Sequence, residues 1–209
     1  MKKIIIPAII AKNQNELEDK IEKVKDRFEI IQLDIMDGKF VPNNSIDFNF
    51  KLPKTNCKYE AHLMIENPES WIENNYTKVD TILVHSESTD NFDSIIKLVK
   101  SKKKNIGFVL NPETPLSKIE KHIKQIDQIL IMTVKPGFYG SKFLPNMINK
   151  ISELRKTAPS LDIEVDGGIT NKTIGLVDKA GANMFVSGSY IVKADDIDKA
   201  INNLKDCLY

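Results

Sequence analysis

Apolar residues fall along this chain in two alternating rhythms. Short runs rich in β-branched residues occupy positions 3–10, 29–34, 58–64, 81–85, 105–110, 128–133, 161–166 and 183–187. Such runs read as buried strands. Between them the period lengthens: Leu17, Ile21, Val24 and Phe28, at spacings of 4, 3 and 4, share one helical face, as do Ile148, Ile151, Leu154 and Arg155 ahead of Pro159. Asn67-Pro68-Glu69 and Thr114-Pro115-Leu116 place proline at a first helical position, and Pro145, Asn171 and Asp195 mark further starts. Strands alternating with helices predict a parallel sheet of right-handed βαβ units, and eight units favour closure into a (β/α)8 TIM barrel. An open doubly wound sheet is the alternative.

The chain has 209 residues and no Ser/Gly-rich linker, so 1–209 reads as a single barrel domain. At about 26 residues per unit the barrel is compact and leaves room for few insertions. Thirty Lys and Arg against 29 Asp and Glu give a net charge of +1, which excludes the broad basic footprint of a nucleic-acid binder but not a local anion site. Cys57 and Cys207 form no CxxC and read as structural thiols of a reducing, cytoplasmic protein. The opening Met1-Lys2-Lys3 before Ile4-Ile5-Ile6 imitates a secretory leader, but Pro7 and the polar stretch from Lys12 fit a first strand better. No stretch reaches the ~20 apolar residues of a membrane span.

In such barrels the chemistry gathers at the C-terminal ends of strands. Asp34, His62, His85 and Asp166 all sit at or near those ends. One aspartate there is commonly a turn former. Two, from the second and seventh runs, can flank a small substrate from opposite sides, as a two-base proton transfer requires. Three glycine-bearing segments follow the last strands: Pro136-Gly137-Phe138-Tyr139-Gly140-Ser141, Asp166-Gly167-Gly168 and Ser187-Gly188-Ser189. Each alone is an ordinary turn. Together they suit a phosphate held by backbone amides.

The order of these pieces resembles the ribulose-phosphate 3-epimerase family. The likeness is carried by Leu33-Asp34-Ile35-Met36-Asp37-Gly38-Lys39-Phe40-Val41-Pro42-Asn43, His62-Leu63-Met64-Ile65, Met132-Thr133-Val134-Lys135-Pro136-Gly137-Phe138 and Glu164-Val165-Asp166-Gly167-Gly168-Ile169. It implies inversion at C3 of a ketose phosphate, ribulose 5-phosphate to xylulose 5-phosphate, through an enediolate, with Asp34 and Asp166 as the two acid/base residues. It also implies a divalent metal, zinc first, with manganese, iron or cobalt as alternatives, acting as a Lewis acid on the C2 oxygen and C3 hydroxyl. Asp34, His62 and Asp166 match ligand positions. The phosphate contacts map onto Gly137, Phe138, Tyr139, Gly140, Gly167, Gly168, Gly188 and Ser189. Met36, Met64 and Met132 match a methionine collar around the reacting carbons, although such methionines would otherwise read as core.

Three departures qualify the likeness. Gln32 stands where the family has a metal-ligating histidine; its amide oxygen would be a weaker, harder fourth ligand, and its NH2 could instead polarise a carbonyl without metal. Ala8 replaces a substrate-contacting serine and Tyr139 a glycine, which fits either another substrate, such as a hexulose or heptulose phosphate, or tolerated variation. A relative that binds sugar phosphate without turning it over is the remaining class. The decarboxylases and synthases of this barrel type use Asp-x-Lys-x-x-Asp, and Asp34-Ile35-Met36 lacks that lysine. Family members commonly form dimers or hexamers, but no unique interface is legible in the sequence.

Overall fold

The computed structural model describes residues 1–137 and 140–208. Its strands are β1 (Ile4–Ile6), β2 (Ala8–Ile9), β3 (Ile30–Asp37), β4 (Asn44–Ser45), β5 (Lys58–Met64), β6 (Thr81–His85), β7 (Asn105–Leu110), β8 (Gln128–Met132), β9 (Asp162–Asp166) and β10 (Met184–Val186). The sheet runs β1-β10-β9-β8-β7-β6-β5-β3-β2, parallel throughout, with β4 folded back antiparallel on β3. Its two ends, β1 and β2, are halves of one strand. The expected first run, 3–10, breaks at Pro7, which has no N–H to donate. Ile6 accepts from the Ser187 amide at 2.8 Å on one side, and Pro7 accepts from Gln32 at 3.0 Å on the other. The split strand thereby closes the barrel.

The helices are α1 (Gln14–Val24), α2 (Pro68–Asn75), α3 (Phe92–Ser101), α4 (Met147–Thr157), α5 (Ile174–Ala180), α6 (Ser189–Val192) and α7 (Ile197–Lys205). Side chains that accept from orphan amides start three of them: Asn13 caps α1, Asn91 caps α3 and Asp196 caps α7. Leu17, Ile21 and Val24 face the sheet as their spacing predicts. The helix expected from Thr114-Pro115 is instead a pair of 3-10 segments, Leu116–Lys118 and Glu120–Gln125. Residues 111–127 must carry the chain back from β7 to β8, and a 3-10 helix rises further per residue than an α-helix. His122 lies there with a side chain 17% exposed and its ring 5.0 Å from that of Phe92.

Alternation along each strand divides the sheet. Leu33, Ile35, Ala61, Leu63, Ile82 and Val84 face outward into the main core beneath the helices. Their neighbours fill the barrel. Leu83, Val109, Leu130, Met132 and Val134 form one interior cluster, and Ile6, Ala8, Met184 and Val186 another. Among the described residues no helix is long and apolar enough to cross a membrane, and both cysteines are free thiols.

Polar groups occupy the interior as well. Glu60 and Glu164 are buried, each within hydrogen-bonding reach of the Gln128 amide, and among the described residues the Oε1 atom of each has no partner. Burial lifts the carboxyl of Glu60 to about 7 and raises that of Glu164, to which the charge of Glu60 also contributes. The folded state therefore binds protons that the unfolded chain has released, and this contribution to stability is lost as pH rises from the unfolded value of about 4.5 through about 7. Denaturant titrations across that window should show wild-type stability falling by on the order of 1 kcal/mol or more. Glu60→Gln should flatten the slope; an equally steep slope in the variant would contradict the assignment.

Candidate active site

Register brings the reactive groups together. Asp34 on β3 pairs with His62 on β5, Met36 with Met64, and Asp166 on β9 with both Met132 of β8 and Val186 of β10. Each side chain is two residues from the next inward one on its strand, so Gln32-Asp34-Met36 and Glu60-His62-Met64 climb toward the mouth as matched ladders. Above them Ile10, Met36, Val41 and Met64 form an apolar rim, with Phe40 against it.

The barrel mouth forms a cleft open to solvent on this face. Asp34, His62 and Asp166 lie in its floor. Met36, Met64, Met132 and Ala8 form walls, and Gly137, Gly140, Gly167, Gly168, Gly188 and Ser189 line the opposite rim. Phe138 and Tyr139, also expected to touch phosphate, lie outside the described residues. Ile10, Val134 and Tyr190 line the cleft without having been singled out, although each follows a recognised residue (Ala8, Met132, Gly188) by two. Thr170 is a further lining residue.

The glycine pair after β9 has a steric cause. Gly167 at φ +118° and Gly168 at φ +66° adopt backbone that other residues rarely take. A Cβ on Gly167 would stand 2.3 Å from Val134 Cγ2, and one on Gly168 2.9 Å from Phe143 Cβ. The backbone of this rim can approach a ligand closely because it carries no side chains.

Gln32 is the centre of the floor. It is fully buried, below the residues that line the cleft. Its Nε2 donates to Asp34 Oδ1 and to Asp166 Oδ2, both at 2.8 Å, and lies 3.4 Å from His62 Nδ1. Its Oε1 is buried with no hydrogen-bond partner among the described residues. His62 Nδ1 is itself 3.2 Å from Asp34 Oδ1 and 3.4 Å from Asp166 Oδ2.

Electrostatics follow from this crowding. Burial, with the charge of Asp166 adding to it, raises the carboxyl of Asp34 against the hydrogen bond from His62. Burial opposes a charged His62, but hydrogen bonds to Asp166 and Asp34 outweigh it and lift the imidazole to about 9. His85, in contact with His62, is driven down to about 4 by burial and the neighbouring ring against the pull of Glu87.

The donor set fits a divalent cation. One atom from each of Asp34, His62 and Asp166 lies within 4.8 Å of the others. The two His62 separations match the roughly 3.0–3.4 Å edges of a coordination polyhedron with bonds near 2.1 Å. Were the Gln32 carboxamide turned about its last bond, its unpartnered Oε1 would face the same cluster, since its oxygen and NH2 occupy nearly equivalent places. An oxygen there makes the set harder than one with a second imidazole.

Comparison with known proteins now has geometry to attach to. The model of the "Ribulose-phosphate 3 epimerase family" matches residues 4–192. The chain belongs to that family. It is 37% identical to the ribulose-phosphate 3-epimerase of Bacillus subtilis, over 96% of this chain and 97% of that one. It is 34% identical to the enzyme of the same name from Eremothecium gossypii, over 99% and 93%. Among solved structures, 3-keto-L-gulonate-6-phosphate decarboxylase from Vibrio cholerae superposes with a TM-score of 0.73 at 12% identity, covering 99% of this chain and 97% of that one. The 3-hexulose-6-phosphate synthase of Salmonella typhimurium gives 0.70 at 17%, covering 98% of each. At such identities the likeness is one of fold, and it confirms the barrel that the alternating pattern predicts.

The shared donor at Gln32 is testable without substrate. In metal-free protein, Gln32→Leu should lower stability by about 1–3 kcal/mol, because two buried carboxylates lose their common hydrogen-bond donor. Added manganese should stabilise wild type more than the variant, which lacks the carboxamide oxygen as a fourth donor. Thermal denaturation after chelation and after manganese addition measures both effects; an unchanged metal-free stability would show that the amide bridge contributes nothing.

Proposed function

We infer that this protein inverts C3 of D-ribulose 5-phosphate to give D-xylulose 5-phosphate, with Asp34 and Asp166 as the two proton-transfer residues. The observation that carries the reading is the placement of both carboxylates around one buried point in the cleft floor, within an epimerase-family chain. Epimerisation needs a base on one face of C3 and an acid on the other. Carboxylates from β3 and β9 approach that point from different strands, so one can take the C3 proton while the other returns a proton to the opposite face. In the reverse reaction the roles exchange.

The remaining residues bind and shield. Met36, Met64 and Met132 give the reacting carbons an apolar, polarizable collar that excludes water from the enediolate. The amides around Gly168 and Gly188 hold the phosphate, fixing the sugar so that C3 lies between the aspartates. Asp34, His62 and Asp166, with the Gln32 carbonyl turned inward, would hold a divalent cation. Such a cation supplies Lewis-acid stabilisation of charge on the C2 and C3 oxygens when bound.

A second substrate is favoured by one feature. Ala8 offers the cleft a methyl group where a hydroxyl could bind a sugar oxygen, a loss of about 1 kcal/mol for a normal substrate. The ratio of kcat/KM for ribulose 5-phosphate to that for hexulose and heptulose phosphates decides between them.

Incubation in D2O tests the chemistry itself. Ribulose 5-phosphate should gain deuterium at C3 as xylulose 5-phosphate appears. Absence of exchange with every ketose phosphate offered would leave a binding protein, not an epimerase. Asp34→Asn and Asp166→Asn should each reduce kcat by about 10²–10⁴-fold while inorganic phosphate affinity stays within about threefold. Near-normal kcat in either variant would remove that residue from the mechanism.

A further inference from the structure

We propose that Glu87 is a positioning residue for the cation site: acting through His85, it holds a proton of His62 on Nε2, so that Nδ1 is the nitrogen a cation beside Asp34 and Asp166 can take. This rests on the reading above that the two aspartates and His62 hold a divalent cation. The line of contacts to His62 starts away from the cleft, at the loop that follows β7. Lys150 of α4 donates to the carbonyls of Asn111, Pro112 and Thr114 at 3.0, 2.7 and 2.8 Å and clamps that loop in place. From it the Asn111 amide, at 3.1 Å, and the Thr114 hydroxyl both donate to Glu87 Oε1. That oxygen is committed. The other, Oε2, lies 3.2 Å from His85 Nδ1, and His85 Nε2 lies 2.9 Å from His62 Nε2.

Proton counting along this line has one solution. A carboxylate only accepts, so His85 Nδ1 must carry a hydrogen. The uncharged His85 ring then has a bare Nε2, and the short contact between the two Nε2 atoms requires exactly one hydrogen, which must come from His62. Without a cation, His62 also carries a hydrogen on Nδ1 toward the two aspartates at 3.2 and 3.4 Å; a cation displaces that hydrogen, and the ring, with its remaining proton held on Nε2, presents a lone pair at Nδ1. The ring planes are inclined by only 21°, which suits an in-plane N–H to lone-pair contact. Both rings are fully buried, so no solvent stands in for a missing partner. Phe40 covers His85, its ring centroid 4.7 Å away.

Glu87→Gln reverses the logic while keeping the shape. Its single carbonyl oxygen can serve either His85 or the Asn111 and Thr114 donors. If the loop takes it, the NH2 faces His85 Nδ1, the His85 proton shifts to Nε2, and the His62 proton is driven to Nδ1, where it blocks the cation. Removing such an outer partner typically weakens metal binding by about 10–100-fold.

The test is long-range ¹H–¹⁵N correlation of ¹⁵N-histidine-labelled full-length protein, metal-free and zinc-loaded, with zinc affinity measured by competition with a chromogenic chelator. Wild-type protein should show His85 protonated at Nδ1 and, when zinc-loaded, His62 protonated at Nε2. Glu87→Gln should shift the His85 proton toward Nε2 and weaken zinc at least tenfold. Opposite tautomers in wild type overturn the proposal even if the variant does not fold. So do unchanged tautomers in the variant, or changed tautomers with unchanged zinc affinity. Should wild type bind no zinc, the cation reading fails separately; the metal-free His85 tautomer then still decides whether Glu87 sets it.

Discussion

Two carboxylates facing one another in a dry barrel mouth repel, and everything else in the floor of this site answers that repulsion. Burial, with the charge of Asp166 adding to it, raises the proton affinity of Asp34. Something electropositive must stand between them. Here the Gln32 NH2 does so, 2.8 Å from each carboxylate, while its oxygen has no partner among the described residues. A carboxamide is suited to this because its two ends have opposite polarity: the NH2 holds both aspartates, and the oxygen would face them only after a turn about the last side-chain bond.

That arrangement depends on barrel closure. Asp34 and Asp166 lie on strands separated in the sheet order by β1 and β10 on one side, and they converge only because the first strand pairs with β10 through β1 and with β3 through β2. Pro7 at the break interrupts the ladder where the strand changes neighbours. Parallel strands then deliver inward side chains at equal heights, so Asp34 faces His62 and Met36 faces Met64 without any loop having to place them. Residues set on strands are held more firmly than residues on loops. The glycine rim, by contrast, is built from backbone, and Gly167 and Gly168 are dictated by the approach of Val134 and Phe143.

Much of this was legible from the chain. Period and order predicted the barrel, and the strand ends identified Asp34, His62 and Asp166, because in a parallel barrel a polar residue ending an apolar run points into the mouth. The break at Pro7 was visible as a proline, but that it closes the barrel depends on pairing between opposite ends of the chain. The 3-10 turns at 116–125 escaped because proline followed by an apolar period reads alike for either helix. The roles of Gln32 and Glu87 were hidden more deeply. Gln32 drew notice only through the family likeness, which could not say which end of its amide faces the aspartates. Glu87 is an ordinary surface glutamate in one dimension; its meaning comes from the Thr114 and Asn111 donors brought to it by the next βα loop.

The interior polarity extends below the site, and the two levels differ in kind. Glu60 and Glu164 lie one inward position beneath His62 and Asp166, sharing the Gln128 amide. There burial favours the neutral acids, so repulsion is relieved by protonation. In the floor above, imidazole and amide donors are supplied instead, and the carboxylates can remain charged in the presence of a cation. A barrel core thus resolves the same conflict twice, by holding a proton where no ligand reaches and by offering exchangeable donors where substrate enters. Only the second solution keeps carboxylates within reach of whatever enters the cleft, which is why that pair belongs at the mouth.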